Sequence, residues 1–380
     1  MKSFDIRTKI HFGDNALDRL LELKYKKVLV ITDPFIEKSG LLKLVTDRLQ
    51  QAFIDFKIFS DVVPDPPIEK ITLGVKYLLS ADPECVVTIG GGSAIDSAKA
   101  ILEFARRASD KEIDLIAIPT TSGTGSEVTS FAVVSDPEKD IKYPLVSDSM
   151  LPTEAILDAE LVKSVPATVT ADTGMDVLTH AIEAYVSINN NEFSAALAEK
   201  AIEICGTFLL RSYLDHNDKH ARAKMHVASC LAGLAFNSAS LGLNHGIAHA
   251  IGARFHIPHG RANAIVLPHV IEFNSGIDKH SKSQQSYPKC VGKYCNVAKL
   301  LGVNNFNEIT TIRALVGWIQ FMNKEMNIPL SLSQCGVEKN EYMNAVGAMA
   351  DKALADACTA TNPRIPSKAE VCLILEHLYD

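Results

Sequence analysis

The sequence predicts an α/β domain with a parallel, Rossmann-like sheet, followed by an all-α domain. Short β-branched runs alternate with amphipathic stretches in the first half, and one run leads into three consecutive glycines. Long amphipathic stretches with almost no strand-like runs fill the second half. Because 380 residues are too many for one compact core, we place a boundary near residues 160–166, where Pro166 interrupts the apolar pattern. The expected domains are residues 1–163 and 164–380.

The first half reads in order as alternating strands and helices. CVVTI at residues 85–89 is typical of a strand buried on both faces, and Pro67 stands where the first turn of a helix accepts proline. Such alternation predicts a mainly parallel sheet covered on both faces. The predicted strands are residues 4–12, 28–32, 85–89 and 115–118, and the predicted helices are residues 15–24, 68–79 and 94–107.

In the second half, apolar residues recur with the spacing of a helix face. This spacing predicts a domain made of helices, with no sheet of its own. The predicted helices are residues 167–187, 193–213, 219–237, 242–254, 261–273, 308–325, 339–355 and 366–379.

Composition and charge argue against several classes of protein. A net charge of −7 without a basic stripe argues against a nucleic-acid partner or an anionic membrane surface. No apolar run approaches the roughly 18 residues of a membrane helix, and the first residues lack the apolar core of a signal peptide. Eight cysteines without a CxxC pair indicate neither a thiolate zinc site nor a disulfide framework. We therefore expect a cytoplasmic protein with no nucleic acid and no membrane among its partners.

Two turns in the first half have the composition of phosphate-binding segments. In IGGGSAID, residues 89–96, the chain loses side-chain bulk after a strand and then starts a helix, whose free N–H groups favour an anion. Ile95 replaces the third glycine of the usual dinucleotide fingerprint, so a purely structural tight turn stays an alternative. The second turn, PTTSGTGSEVT at residues 119–129, clusters hydroxyl groups at a strand end, which favours binding.

Asp33 follows the predicted strand 28–32 and offers the acceptor that a ribose diol requires. A carboxylate at this position would repel a 2′-phosphate, which would select NAD over NADP. An Asp-Pro turn at the end of a strand is the alternative interpretation.

The second half contains two stretches with the residue types of a metal site. Asp176 and His180 stand four residues apart, so on a helix an oxygen and a nitrogen could reach the same cation. Such a pair alone usually makes a surface hydrogen bond. Residues 244–270 hold five of the twelve histidines within apolar sequence, where an unpaired imidazole is unfavourable. Together the two stretches predict one metal site.

Five long motifs are spread along the chain. They are GGGSAIDSAKA at 90–100, PTTSGTGSEVT at 119–129, LPTEAILDAEL at 151–161, GMDVLTHAIEAYVS at 174–187 and NHGIAHAIGARFHIPHGRANAIVLPHV at 244–270. On these motifs the chain resembles the iron-containing (group III) alcohol dehydrogenases. The resemblance implies a dehydroquinate synthase-like architecture, with a dinucleotide-binding domain, a helical domain and a divalent iron in the cleft between them. It also implies Asp176, His180, His245 and His259 as the metal ligands.

The same resemblance implies NAD as the cofactor and places His249 near its nicotinamide. We expect His249 on the substrate side or in a proton relay, with a position behind the metal ligands as the alternative. At residues 158–159 the family's common Asp-Pro is Asp-Ala, which we expect to alter only a turn. The implied NAD contacts are Asp33, Gly91, Gly92, Ser93, Thr120, Thr121, Thr124, Thr129, Val133, Lys142 and Leu161.

Within the family the chain is most similar to short-chain primary alcohol dehydrogenases of the 1-propanol dehydrogenase type, on residues 140–148, 224–245 and 353–366. This similarity implies a small alcohol or aldehyde substrate, with reduction of propionaldehyde or acetaldehyde by NADH. It also implies a homodimer or a larger assembly, and residence in a bacterial microcompartment as an alternative to the open cytoplasm. Iron(II) suits the implied ligands, and zinc competes because such sites generally bind it more tightly.

Three alternatives stay open at the level of the sequence. A glycerol or diol dehydrogenase of the same superfamily shares the fold, and the glycerol dehydrogenase or dehydroquinate synthase type implies a zinc site of one aspartate and two histidines. A metal-dependent hydrolase needs the metal without a nicotinamide. A non-enzymatic metal or phosphate sensor would turn over no alcohol.

Overall fold

The structure is a computed structural model that describes residues 4–109, 111–136, 141–277, 288–303 and 305–380. The chain divides into two compact units, unit 1 (Met1–Ser164) and unit 2 (Val165–Asp380). All the named strands belong to unit 1, and unit 2 is helical in its described part.

Unit 1 is built on parallel strands. Its strands are β1 Lys9–Phe12, β2 Lys27–Ile31, β3 Asp55–Phe59, β4 Cys85–Gly90, β5 Asp114–Pro119, β6 Phe131–Asp136, β7 Ile141–Val146 and β8 Glu154–Leu157. Six form one parallel sheet in the order β1-β8-β5-β4-β2-β3, while β6 and β7 form an antiparallel pair. Every residue of β4 is buried, since the strand lies between β5 and β2, and this explains its mostly apolar, β-branched sequence. The predicted parallel sheet is confirmed.

Helices cover both faces of this sheet. The helices of unit 1 are α1 Pro34–Ser39, α2 Leu41–Gln51, α3 Ile68–Ala81 and α4 Gly92–Ser109. Successive side chains of β2 point to opposite faces, so Val28 and Val30 pack into the core that contains α2. Leu29 and Ile31 pack into the core that contains α3 and α4.

Several elements of unit 1 were not predicted from the sequence, namely α1, α2, β3, β6, β7 and β8. The predicted strand 4–12 is only β1, and the predicted helix 15–24 is a 3-10 helix, Ala16–Glu22. Strand β3 lies at the sheet edge with alternating exposure, and β8 has only four residues, so neither has the long apolar run that marked β4. Strands such as β3 and β8 depend on pairing with distant strands, which local periodicity does not report.

Unit 2 contains longer helices. They are α5 Ala167–Val186, α6 Glu192–Leu214, α7 Lys219–Ala239, α8 Leu243–Phe255, α9 His259–Ser275, α10 Pro288–Leu300, α11 Glu308–Glu325, α12 Lys339–Ala355 and α13 Lys368–His377. Each of the eight predicted stretches falls on one of these helices, so the predicted helical domain is confirmed. Helix α10 was not predicted, although Val291, Tyr294 and Val297 give it a buried face.

Helix α5 is buried on all sides from Gly174 to Val186. Three of these buried residues, Asp176, His180 and Glu183, carry carboxylate or imidazole side chains, which need partners in such surroundings. Among the described residues, no single helix has the length and apolar character of a membrane span. The consecutive helices α7 and α8 reach that length and apolar character only when they are counted as one segment, and the angle between them is 107°.

His226, buried in α7, gives unit 2 a predicted dependence on acid. Burial lowers the pKa of His226 to about 4, whereas an unfolded histidine titrates near 6.5. As the pH falls from about 6.5 to about 4, the unfolded chain binds this proton first, so stability is lost across that window by up to about 3 kcal/mol. We expect His226→Gln to unfold with a weaker pH dependence between pH 6.5 and 4.5, measured by thermal melts. His216→Gln, at an exposed position, should keep the wild-type dependence, and an equal slope in all three proteins would contradict the prediction.

Candidate nucleotide site and candidate metal centre

The turns after β2, β4 and β5 lie side by side at the carboxyl edge of the sheet. Gly90 stands opposite Pro119 in the β4–β5 pair, and β2 pairs with β4 on its other side. The Thr120 N–H donates to the Gly90 carbonyl at 2.9 Å, and Thr32 Oγ1 donates to the Ile89 carbonyl at 2.8 Å. Strand order reverses between β2 and β4, which is where open α/β sheets bind their ligands.

Residues 89–96 form the glycine turn, and residues 119–129 form the hydroxyl-rich turn. The two turns are in direct contact. A β-carbon at Gly92 would lie 2.7 Å from Thr124 Cγ2, and one at Gly91 would lie 3.5 Å from Thr121 Cγ2. Only a residue without a side chain therefore fits at Gly92 unless Thr124 moves. Helix α4 begins at Gly92 and continues with Ser93, so a helix N-terminus, which favours an anion, lies at the same place.

Asp33 caps a helix with one carboxylate oxygen and leaves the other beside the glycine turn. Its Oδ1 accepts hydrogen bonds from the N–H groups of Phe35 and Ile36 at 2.9 and 3.0 Å, so it caps α1. Its Oδ2 is directed toward the glycine turn, 3.3 Å from where a β-carbon on Gly90 would lie. One oxygen is therefore used by the helix, and the other lies beside the predicted phosphate turn.

The remaining predicted NAD contacts differ in their positions. Thr120 and Thr129 are buried in the hydroxyl-rich turn, and Val133 lies in β6 with 38% of its surface exposed. Leu161 is fully buried among the core residues of the sheet, so its side chain does not reach the surface beside the turns. Lys142 belongs to β7, and its side chain lies outside the part of the chain that the structure describes.

In unit 2, Asp176, His180, His245 and His259 converge on one point. Asp176 and His180 stand one turn apart on α5, His245 lies on α8, and His259 is the first residue of α9. His256 follows the last residue of α8 and caps the helix with a left-handed backbone conformation (φ 54°). The turn at His256 joins α8, which carries His245, to α9, which begins with His259. One ligand atom from each of the four residues lies within 4.8 Å of the others.

Asp176 Oδ1 lies near all three imidazoles. It is 3.8 Å from Nε2 of His180, 3.7 Å from Nε2 of His245 and 3.4 Å from Nε2 of His259. Asp176, His180 and His245 are buried, whereas 42% of the His259 side chain is exposed, so the cluster reaches solvent at His259. Burial alone would raise the pKa of Asp176, but the imidazoles of His180 and His259 hold it well below its ordinary range. The carboxylate is therefore available as a charged ligand.

Glu183 holds His245 from behind and was not identified from the sequence. Its carboxylate accepts a hydrogen bond from His245 Nδ1, and it also accepts from the Asn244 backbone N–H at 2.7 Å. Burial alone would lower the pKa of His245, but the Glu183 carboxylate raises it to about 9. A more basic imidazole with its Nδ1 occupied directs Nε2 toward the cluster. The spacing in the sequence could have identified it, because Glu183 follows Asp176 by seven residues and therefore lies on the same helix face.

Asn263 is a second buried residue that the sequence analysis missed. Its Nδ2 donates to Asp176 Oδ1 at 2.7 Å and lies 3.1 Å from Nε2 of both His245 and His259. Asn263 follows His259 by four residues on α9, which is again the spacing of one helix face. Its contacts orient the carboxylate of Asp176.

His249 lies beside the cluster and outside it. Its ring stacks on His259 with centroids 5.3 Å apart, and 43% of its side chain is exposed. Its Nδ1 is 2.8 Å from Oδ2 of Asp356, whose Oδ1 accepts from the Cys358 backbone N–H at 2.8 Å. The Asp356 carboxylate thus fixes the orientation of the His249 ring.

The donor set of the cluster fits a divalent transition-metal ion. One carboxylate and three imidazoles are the ligands that iron(II) and zinc accept. The separations of 3.7 and 3.8 Å from Asp176 to His245 and His180 are too long for direct hydrogen bonds but suit groups that share a cation. The buried carboxylate also lowers the energy of a positive charge at this point.

Known proteins match the chain along its whole length. Residues 7–159 match the model described as iron-containing alcohol dehydrogenase, and residues 170–379 match the Fe-containing alcohol dehydrogenase family, C-terminal. The chain is 42% identical to the 1-propanol dehydrogenase PduQ of Citrobacter freundii, with 100% of both chains covered. It is 38% identical to the NADPH-dependent butanol dehydrogenase of Clostridium saccharobutylicum, with 100% of this chain and 98% of the relative covered. A solved 1,3-propanediol oxidoreductase matches with a TM-score of 0.89 at 31% identity, with 100% of both chains covered.

A sheet edge suited to a dinucleotide and a helical unit suited to a transition metal define a metal-dependent dehydrogenase. The comparisons narrow that class, and the chain belongs to the iron-containing alcohol dehydrogenase family. It is accordingly an oxidoreductase that acts on small alcohols or aldehydes with NAD(P). The resemblance found in the sequence motifs is confirmed.

Proposed function

We propose that the protein is an iron- and NAD-dependent dehydrogenase that interconverts short-chain primary alcohols and aldehydes. The convergence of Asp176 with three imidazoles is the observation that carries the metal assignment. In this proposal Asp176, His180, His245 and His259 hold one divalent cation, with iron(II) as the native metal and zinc as its competitor. When bound, the cation supplies Lewis-acid polarisation of the substrate oxygen.

We place NAD at the carboxyl edge of the sheet in unit 1. The backbone of Gly91, Gly92 and Ser93 and the N-terminus of α4 would bind the pyrophosphate, since they combine free N–H groups with close access. Thr121 and Thr124 would add hydroxyl donors from the neighbouring turn. The further proposed contacts are Asp33, Thr120, Thr129, Val133 and Lys142, whereas Leu161, whose side chain is fully buried in the sheet core, is not kept as a side-chain contact.

Asp33 is the residue proposed to select NAD over NADP. Its Oδ2 places negative charge beside the glycine turn, where a 2′-phosphate would be repelled. The relative from Clostridium saccharobutylicum is named as NADPH-dependent, so this preference needs its own test.

Substitution of Asp33 by serine should relax this preference. Serine keeps a side-chain acceptor for the cap of α1 but removes the charge, so we expect kcat/KM for NADPH relative to NADH to rise about tenfold. Steady-state rates with both cofactors provide the measurement. Asp47→Ser on α2, where 41% of the aspartate side chain is exposed, should leave the ratio unchanged. An unchanged ratio in Asp33→Ser would assign the preference to another group.

The proposed substrates are C2 to C4 primary alcohols and their aldehydes. The relatives named as 1-propanol and butanol dehydrogenases, at 42% and 38% identity, support this size range. The solved relative named 1,3-propanediol oxidoreductase favours a diol as the second candidate. A four-residue metal cluster supports the iron type of site over the one-aspartate, two-histidine zinc site of the glycerol dehydrogenase alternative.

An anaerobic assay of NADH oxidation tests this proposal. Protein reconstituted with iron(II) should oxidise NADH with propionaldehyde, acetaldehyde and butyraldehyde, and 1,3-propanediol with NAD tests the diol candidate in the reverse direction. Failure to turn over any of these, with metal bound, would reject the substrate proposal. Hydrolysis of an ester without NADH would favour the hydrolase alternative.

Glu183 is predicted to set metal affinity through His245. Glutamine has the same size but no charge, so in Glu183→Gln the His245 imidazole becomes a weaker ligand, and we expect the affinity for iron(II) or zinc to fall about tenfold. Competition with a chromogenic chelator provides the measurement. Glu203→Gln, an exposed residue on α6, is the matched control. An unchanged affinity in Glu183→Gln would show that this hydrogen bond does not support the metal.

We also propose a homodimer or larger assembly in the bacterial cytoplasm or in a microcompartment. These proposals rest on the family resemblance. Sedimentation at working concentration that gives only the chain mass of 41.3 kDa would contradict the assembly. Fractionation of cells that express the native protein would distinguish the two locations.

A further inference from the structure

Lys99 is a fully buried lysine on α4 that neither the metal centre nor the predicted NAD contacts include. Its Nζ donates to the carbonyls of Thr129 and Phe131 at 2.7 and 2.9 Å. It also lies 3.0 Å from Ser126 Oγ and 3.1 Å from Thr129 Oγ1. A buried ammonium is unfavourable unless it is paired, so this lysine binds tightly to the end of the hydroxyl-rich turn.

Asp96 continues the same attachment three residues earlier on α4. Its Oδ1 accepts a hydrogen bond from Ser126 Oγ at 2.6 Å, and its Oδ2 accepts from the Val133 backbone N–H at 3.0 Å. Asp96 and Lys99 therefore hold residues 126–133 at several points. Thr129 and Val133, two of the predicted NAD contacts, are bound directly by this pair.

The helix that makes these bonds also begins at the glycine turn. Gly92 is its first residue, and Thr124 of the hydroxyl-rich turn packs against that glycine. One helix thus carries the glycine turn at its start and binds the hydroxyl-rich turn from its second turn onward. The bonds made by Asp96 and Lys99 therefore add a link through α4 between the two turns, beside the pairing of β4 with β5.

We infer that Lys99 and Asp96 are positioning residues that hold the hydroxyl-rich turn in place against the glycine turn and so set the affinity for the dinucleotide. The inference rests on the proposed placement of NAD in unit 1. Lys99 does not serve as a phosphate ligand itself. An ammonium has three N–H donors, and four oxygen atoms of the protein already lie within 3.1 Å of Nζ.

Substitution of Lys99 by methionine tests the inference, because methionine has a similar length and no donor. We expect the Kd for NADH, measured by fluorescence titration of the full-length protein, to rise about tenfold. The KM for NADH should rise equally, while kcat at saturating NADH and the KM for aldehyde stay within about twofold. Lys43→Met, at an exposed position on α2, should bind NADH as the wild type does. A lower melting temperature with an unchanged Kd would reduce Lys99 to a structural role and overturn the inference.

Ser126→Ala provides a milder variant in case Lys99→Met does not fold. It removes the hydroxyl that links Asp96 to Lys99, and we expect the Kd for NADH to rise about threefold. An unchanged Kd in this variant would also overturn the inference. Wild-type protein that binds no NADH would instead reject the proposed function. Wild-type binding together with unaffected variants would reject the positioning role alone.

Discussion

Asp176→Asn is expected to lose bound metal and to lower kcat/KM for aldehyde reduction at least about a thousandfold. Asp176 is the one charged oxygen ligand in a cluster with three imidazoles, and its Oδ1 is within 3.8 Å of all three. Asparagine preserves the volume but removes the charge that offsets a buried cation. Metal content after anaerobic reconstitution and the initial rate of NADH oxidation provide the two measurements.

The control for this variant is an exposed aspartate of the same unit. Asp351 pairs with Lys368 at the surface, so Asp351→Asn should retain both metal and activity. NADH binding by Asp176→Asn should also match that of the wild type, since the proposed dinucleotide site lies wholly in unit 1. Full metal content and activity in Asp176→Asn would place the cation, and the metal-dependent step, elsewhere.

The fold was predictable where local pattern and burial agree. The predicted helices 308–325 and 339–355 have the bounds of α11 and α12. Asn307, a preferred N-cap residue, marks the start of α11, and the Glu338 carboxylate accepts a backbone N–H at the start of α12. Strand β4 was predictable because it is buried on both faces. Strands β3 and β8 were not, since β3 lies at the sheet edge with alternating exposure and β8 is too short to show a run like that of β4.

The metal cluster was predictable only where its ligands are neighbours on one helix. Asp176 and His180 are neighbours on one helix, and their spacing is visible in the sequence. His245 and His259 come together because the chain turns at His256 between α8 and α9, a tertiary event without periodicity. The residue types alone joined the two stretches into one predicted site, but only the family resemblance selected His245 and His259 from the five histidines of residues 244–270.

Residues behind the ligands were the hardest to predict. Glu183 and Lys99 look like ordinary helix residues in the sequence, yet both are buried and bonded to residues of the proposed sites. Charged residues within mostly apolar helices are therefore a useful signal once a motif has located the site, because such residues require a buried partner.

His249→Gln is expected to lower kcat for aldehyde reduction about a hundredfold while metal content and NADH affinity stay unchanged. The His249 ring stacks on the proposed ligand His259 but is not one of the four converging residues, so its loss should not release the metal. Glutamine can still donate a hydrogen bond to Asp356, but it cannot accept and release a proton. Rates at saturating cofactor and metal analysis of the same sample separate the two roles that the sequence left open.

The activity and metal content of His249→Gln distinguish a role of His249 in proton transfer to the substrate from a role in holding the metal ligands. A fall in kcat at full metal occupancy supports proton transfer by the His249 imidazole, with Asp356 holding the ring in place. A fall in activity that follows a loss of metal would place His249 behind the ligands instead. His220→Gln, an exposed histidine on α7, controls for the loss of an imidazole as such. An active, metal-loaded His249→Gln enzyme would show that the proton reaches the substrate by a route without this side chain.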